Sequence, residues 1–167
     1  VIVPLSFSAS SFLAYPMPGW SLQWYENLFT SAEWARAAKN SFIVAPAATV
    51  IATVLGTLTA VGLARVQFPG KGLLMSVLIA PMVVPIVVVG VATYLFFARI
   101  GLSDSYTGLI LVHAALGAPF VVTTVLATLQ GFNHNLVRAS LSLGASPLTT
   151  FFRVTLPVIA PGVISGA

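Results

Sequence analysis

The residue types that carry acid–base or nucleophilic chemistry are scarce in this sequence, and their spacing does not favour catalysis. The three carboxylates, Glu26, Glu33 and Asp104, and the two histidines, His113 and His134, lie far apart along the chain. Paired-acid chemistry needs two carboxylates converging on one substrate, and none of the three falls inside a long apolar stretch. There is no cysteine, which removes disulfides, thiolate-held metals and iron–sulfur clusters from consideration, and no metal site is expected. Gly70-Lys71-Gly72 lacks both the upstream glycine and the following Ser or Thr of a phosphate-binding loop. No catalytic residue is assigned, no cofactor is expected in this chain, and ATP hydrolysis is not expected of it.

What remains is binding and passage. His113 is the one titratable side chain deep inside an apolar stretch, and an ionisable group in such a place is a functional candidate. Its competing role is that of a neutral imidazole bonded to a neighbouring helix. Thr93, Tyr94, Thr123 and Thr124 could join His113 along a weakly polar translocation path, or they could serve as ordinary hydrogen bonders between helices.

The elements that would position these residues follow from composition. Of 167 residues, 58% are hydrophobic and 6% charged, against about 25% charged in an ordinary soluble domain. Seven Lys or Arg and three Asp or Glu cannot cover a water-soluble surface. The fold class expected is all-α, a polytopic bundle of transmembrane helices. The net charge of +4 is not gathered into a basic face, so no nucleic-acid partner is expected. The first residues lack the basic start of a signal peptide, and the chain reads as a fragment of a longer protein.

Three charge-free stretches, Asn40–Ala64, Leu73–Ala98 and Ser105–Leu129, are each long enough to span. At about 1.5 Å per residue they reach about 37–39 Å, more than the roughly 30 Å of a hydrocarbon core. The segments 65–72 and 130–156 carry only basic charges, whereas 8–39 and 99–104 balance plus with minus. Basic loops stay in the cytoplasm, so 65–72 and 130–156 are placed inside, and 8–39 and 99–104 outside. Residues 1–7 then form the end of a truncated span and 157–167 the start of a further one. Trp20, Trp24, Trp34, Tyr15 and Tyr25 all fall in the outer segment, where short interfacial helices are expected over 21–29 and 31–39. Each span also contains an Ala-Pro step, at Pro46, Pro81 and Pro119, with Pro161 in the last stub and a second proline at Pro85. Kinks are expected at these prolines, with Gly56, Gly62, Gly90 and Gly117 as points of close packing.

The segment Asn135–Pro157 is the most informative. Leu136, Ala139/Ser140 and Leu143 fall on one face of a short helix. Gly144 suits the left-handed residue that ends it, and Ser146-Pro147 supplies an N-cap with proline in the first turn of a second helix. A short helix with an apolar face outside the membrane needs something to dock on, either a partner protein or membrane lipid.

The order Arg138-Ala139-Ser140, three residues, Gly144, nine residues, Val154, one residue, Leu156-Pro157 resembles the Glu-Ala-Ala loop of ABC importer permeases. Leu143 and Ala145 around the glycine are typical of that loop too. Two positions depart from it: Arg138 stands where the pattern has Glu, and Ser140 where it has the second Ala. The run Tyr15-Pro16-Met17-Pro18-Gly19-Trp20 and most of the later chain resemble the second permease of spermidine/putrescine-type importers.

The resemblance implies a type I ABC importer permease fold in a cell (inner) membrane, with 138–157 forming a coupling helix that fits a cleft on a cytoplasmic ATPase. It implies ABC ATPase subunits that carry the ATP, a second permease subunit and an extracytoplasmic solute-binding protein as partners. The solute would be small, a polyamine or another. Two other readings stand beside it: a secondary transporter using His113, and a non-transport membrane scaffold.

Overall fold

A computed structural model describes residues 2–11 and 15–167. Residues 1 and 12–14, which fall in the expected segments 1–7 and 8–39, lie outside the described residues. The chain divides into two units, Val1–Ile43 and Val44–Ala167.

In the first unit a four-residue helix, α1 (Ile2–Leu5), is followed by a turn at Ser6-Phe7 and, further along the chain, by α2 (Gln23–Thr30). Ser8 and Trp20 form an isolated antiparallel bridge. The indole N–H of Trp24 and the side-chain amide of Gln23 both donate to the Ser8 carbonyl, each at 3.2 Å, and Ser6 Oγ meets the Tyr25 hydroxyl at 2.8 Å. Phe7 packs its ring against Tyr25 at 5.2 Å. Several of the aromatic residues expected to anchor an interface therefore hold this unit together, while Tyr15, Trp20 and Trp34 stay more than half exposed.

The short helix expected over 31–39 is not separate. It is the start of α3 (Ala32–Arg65), which runs unbroken for 34 residues. Ser31 Oγ accepts from the Glu33 N–H at 3.2 Å, as a capping serine does. Nothing between Ser31 and Asn40 breaks a helix: Glu33, Arg36 and Lys39 mark a change of charge, and all three propagate helix well. At its far end, Lys71 Nζ donates to the carbonyls of Leu63 at 2.6 Å and Val66 at 3.0 Å. These are groups that the end of a helix leaves without partners.

The stretch 73–98, expected as one span, is two helices. α4 (Lys71–Val83) and α5 (Ile86–Ile100) meet at 103° across Val84 and Pro85. Proline removes the N–H that would serve the carbonyl four residues back. Pro81 and Pro85 are four apart, so two consecutive turns each lose a bond, and Val84 before Pro85 takes the extended conformation, ψ 133°. By contrast α3 passes Pro46, and α6 (Tyr106–Gln130) passes Pro119, without interruption. Of the prolines considered, only Pro85 stands at a break.

After α6 come α7 (Asn135–Ser142), α8 (Pro147–Thr150), a π-helical turn over Phe151–Thr155 and α9 (Leu156–Gly166). The last three run on as one helical stretch, Pro147–Gly166, so the expected boundary between loop and span at 156/157 is not a break in the backbone. Pro157 has no N–H for the Arg153 carbonyl, and the chain absorbs the loss by widening one turn, with the Leu156 N–H reaching back to Phe151.

The described residues thus form an all-α fold. α3, α6 and Pro147–Gly166 are each long and apolar enough to cross a membrane. The core of the second unit gathers Ala60 and Val61 of α3, Val121, Val125 and Leu129 of α6, Phe132 and Ile159. Close approach depends on missing side chains. A Cβ on Gly56 would lie 2.7 Å from Val121 Cβ, and one on Gly162 would lie 2.9 Å from the Thr124 carbonyl. Among the glycines expected at packing points, Gly56 and Gly117 meet α6 and α3 neighbours, while Gly62 and Gly90 have open space around them. α4 and α5 bury no residue.

Candidate functional site

The segment 135–157 folds as helix, turn and helix. α7 ends at Ser142 with Leu143 as its C-cap, and Gly144 follows at φ +83°, where a side chain would be strained. The Gly144 N–H reaches Leu141 O at 3.0 Å and the Ala145 N–H reaches Ser140 O at 3.2 Å, closing the helix end. Ser146 Oγ then accepts from the Thr149 N–H at 3.2 Å, with Pro147 in the first turn of α8. Replacing a capping serine by alanine costs about 1 kcal/mol. Ser146→Ala is therefore expected to lower the thermal midpoint by a few degrees, read by thermal unfolding in detergent, and an unchanged midpoint would show that the cap carries no stability.

Two polar groups tie the helices together. Ser140 Oγ meets Thr150 Oγ1 at 3.0 Å, with Thr150 buried at 2% exposure. The serine that replaces the second alanine of the resembled pattern thus has a structural partner. On the inner side Val137, Phe151 and Leu156 pack against the core, and Val154 is half-buried. On the outer side the apolar side chains are uncovered: Leu143 is 88% exposed and Leu148 71%, with Leu136 and Leu141 nearly half exposed. Arg138 and Ala139 are exposed on α7, and Pro157 is exposed at the start of α9. The face expected from 136, 139/140 and 143 is therefore split. Ser140 turns inward with Val137, while Leu136 and Leu143 turn out. Leu148 and Leu141, not singled out from sequence, enlarge the outer patch; Leu148 follows directly on the Ser146-Pro147 cap, the nearest local signal to it.

The five residues expected along a path lie on two helices. Thr93 and Tyr94 lie on α5, and His113, Thr123 and Thr124 on α6. Thr93 lines two clefts beside α6, of about 270 and 480 Å³, and Tyr94 lines the smaller; His113, Thr123 and Thr124 line neither. Each polar group on this set, Tyr94 aside, is engaged by its own helix: Thr93 with Val89 O at 2.7 Å, His113 Nδ1 with Leu109 O at 2.8 Å, Thr123 with Pro119 O at 3.0 Å and Thr124 with Phe120 O at 2.9 Å. Thr124 also faces Gly166 across the contact between α6 and α9.

A third cleft, of about 340 Å³, opens where the ends of α3 and α6 meet α7, with Arg65, Arg138, His134 and Thr155 in its lining. No local pattern marks it, because Arg65 and Arg138 are far apart along the chain and meet only in the folded state.

Comparison with known proteins agrees with this architecture. Residues 52–167 match the family described as binding-protein-dependent transport system inner membrane component. The spermidine/putrescine transport system permease protein PotC of Haemophilus influenzae is 35% identical over 148 residues, which is 89% of this chain and 58% of that protein. PotC of Escherichia coli K12 is 31% identical over 99% of this chain and 62% of its own length. The putrescine transport system permease protein PotI of the same strain is 31% identical over 99% of this chain and 61% of its own length. The chain thus spans about three fifths of the length of these relatives.

Proposed function

The chain belongs to the family of binding-protein-dependent transport system inner membrane components, and from that premise we propose that this multi-pass inner-membrane protein serves as a permease subunit of an ATP-driven importer. The observation that carries the coupling role is the outer patch of the 138–157 segment. Leu143 and Leu148 are exposed on a turn fixed by Gly144 and Ser146, rigid enough to transmit a push and apolar enough to need a partner. The partner in this reading is a separate ATPase subunit, and closure of an ATPase pair drives the bundle between two states.

Orientation supports the same placement. Arg65, Lys71, Arg138 and Arg153 gather near the 65–72 turn and the 130–156 segment, and basic residues favour the cytoplasmic side. A second permease subunit and an external solute-binding protein complete the proposed assembly. The solute class favoured is a polyamine, since the PotC and PotI relatives carry that substrate in their names. No carboxylate lies within α3 after Glu33, nor anywhere in 105–167, so selection for a polycation would rest mainly with the binding protein.

The test is uptake of radiolabelled putrescine and spermidine in cells lacking their own polyamine importers, with and without a co-expressed ABC ATPase subunit. Uptake is expected only with the ATPase, and His113→Ala is expected to leave it within about twofold, as for a group already bonded to its own helix. ATPase-independent uptake abolished by His113→Ala would replace this reading with a proton-coupled carrier.

A further inference from the structure

The cleft at the ends of α3 and α6 gathers basic residues with no acid in its lining. Arg65 and Arg138 both line it and both are exposed to it, with His134 beside them. The His134 ring is held edge-on against Phe132 at 5.3 Å. No carboxylate lines the cleft, and the one acid of the second unit, Asp104, lines a different cleft. Deeper in, Thr155 is 1% exposed and its hydroxyl has no hydrogen-bond partner. Buried hydroxyls in folded proteins are nearly always satisfied, and this one sits in the wall of the cleft that holds two guanidinium groups.

We propose that this cleft binds the phosphate group of an anionic phospholipid, with Arg65 and Arg138 as charged donors and the Thr155 hydroxyl as the inner donor. Arginine matches phosphate through parallel N–H donors. Val61 and Phe132 give the same cleft apolar walls, suited to the glycerol and first acyl carbons behind a headgroup. Arg65 ends α3, a helix apolar enough to cross a membrane, which puts the guanidinium at headgroup depth, where basic pockets between helices take anionic lipids. A soluble phosphate compound offers the same chemistry, and the test separates the two. The proposal does not depend on the transport reading, because its readout is bound ligand and not uptake.

The intact protein is extracted into detergent from membranes of phosphatidylglycerol and phosphatidylcholine, and retained lipid is identified by native mass spectrometry. In parallel, inorganic phosphate is titrated while thermal unfolding is followed. Phosphatidylglycerol is expected to be retained preferentially, with retention falling about fivefold in Arg65→Gln and about threefold in the near-isosteric Thr155→Val. A phosphate-induced rise in the midpoint, lost in both variants and without lipid preference, upholds the phosphate site and assigns it to a soluble compound. Equal lipid retention in wild type and Thr155→Val, with no response to phosphate, overturns the proposal. So does loss of a bound ATPase from Arg65→Gln with lipid retention unchanged, which would give the guanidinium to a partner's carboxylate.

Discussion

Gly162→Leu is expected to pry α9 from α6 and leave little folded protein in the membrane. The backbone of α9 lies so close to α6 that even a Cβ at 162 would stand 3.0 Å from Thr128 Cβ and 2.9 Å from the Thr124 carbonyl, besides colliding with Thr128 Oγ1. The threonine hydroxyl could swing away, but a backbone carbonyl within a helix cannot, so the helices must separate. Ile159, fully buried one turn earlier, would lose its packing against α6 at the same time. Overpacking of this kind costs about 1–3 kcal/mol, and lost burial around Ile159 adds to it. Fluorescence-detected size-exclusion chromatography should show the monodisperse peak collapse. Gly62→Leu is the control: nothing lies within 4 Å of a Cβ there, and removing a helical glycine favours the helix by up to about 1 kcal/mol. Equal peaks for the two variants would mean that the contact between α6 and α9 is not what holds this unit together.

The second large effect concerns the exposed turn and leaves the bundle intact. Deleting Arg138–Ala145, or placing Glu at Gly144, is expected to abolish recovery of the ATPase and uptake while the chain still inserts. Both changes mix causes: the deletion also removes Ser140, which bonds the buried Thr150, and any side chain at φ +83° is strained by about 1–2 kcal/mol. Leu143→Asp separates them. Leu143 is 88% exposed, so the substitution removes no core contact, yet it puts a charge in the centre of the apolar patch. If that patch is the coupling surface, co-purified ATPase should drop at least tenfold, the size of a central interface residue, with the thermal midpoint unmoved. Undiminished ATPase recovery with Leu143→Asp would remove the coupling role from this turn.

What could be read from sequence was decided by local chemistry. Gly144 and Ser146-Pro147 each impose a backbone state on their own, so the helix–turn–helix followed from them, and long charge-free stretches mark apolar helices wherever they occur. The boundaries were less legible, because charge reports where a membrane ends and not where a helix ends; Glu33, Arg36 and Lys39 continue α3 for that reason. The break at Val84-Pro85 needed two prolines four residues apart to be weighed together, whereas each proline alone reads as a kink. The fit of Gly162 to Thr128 and the meeting of Arg65 with Arg138 depend on which helices become neighbours, and no local pattern encodes that. The placement of Thr93 on α5 and of His113, Thr123 and Thr124 on α6 poses the same question, since residues on two helices share a path only if the helices present them to each other.

The ammonium group of Lys71 carries a mechanical consequence. By holding the Leu63 and Val66 carbonyls at 2.6 and 3.0 Å, it fastens the start of α4 to the end of α3 across a turn that would otherwise be slack. The ammonium thus works as a clasp between the two helix ends. The next place where the chain can articulate is the 103° elbow at Val84-Pro85. Removing the clasp with Lys71→Met takes away bonds to a charged donor, which contribute about 1.5–3 kcal/mol, at the one turn that joins these two helices.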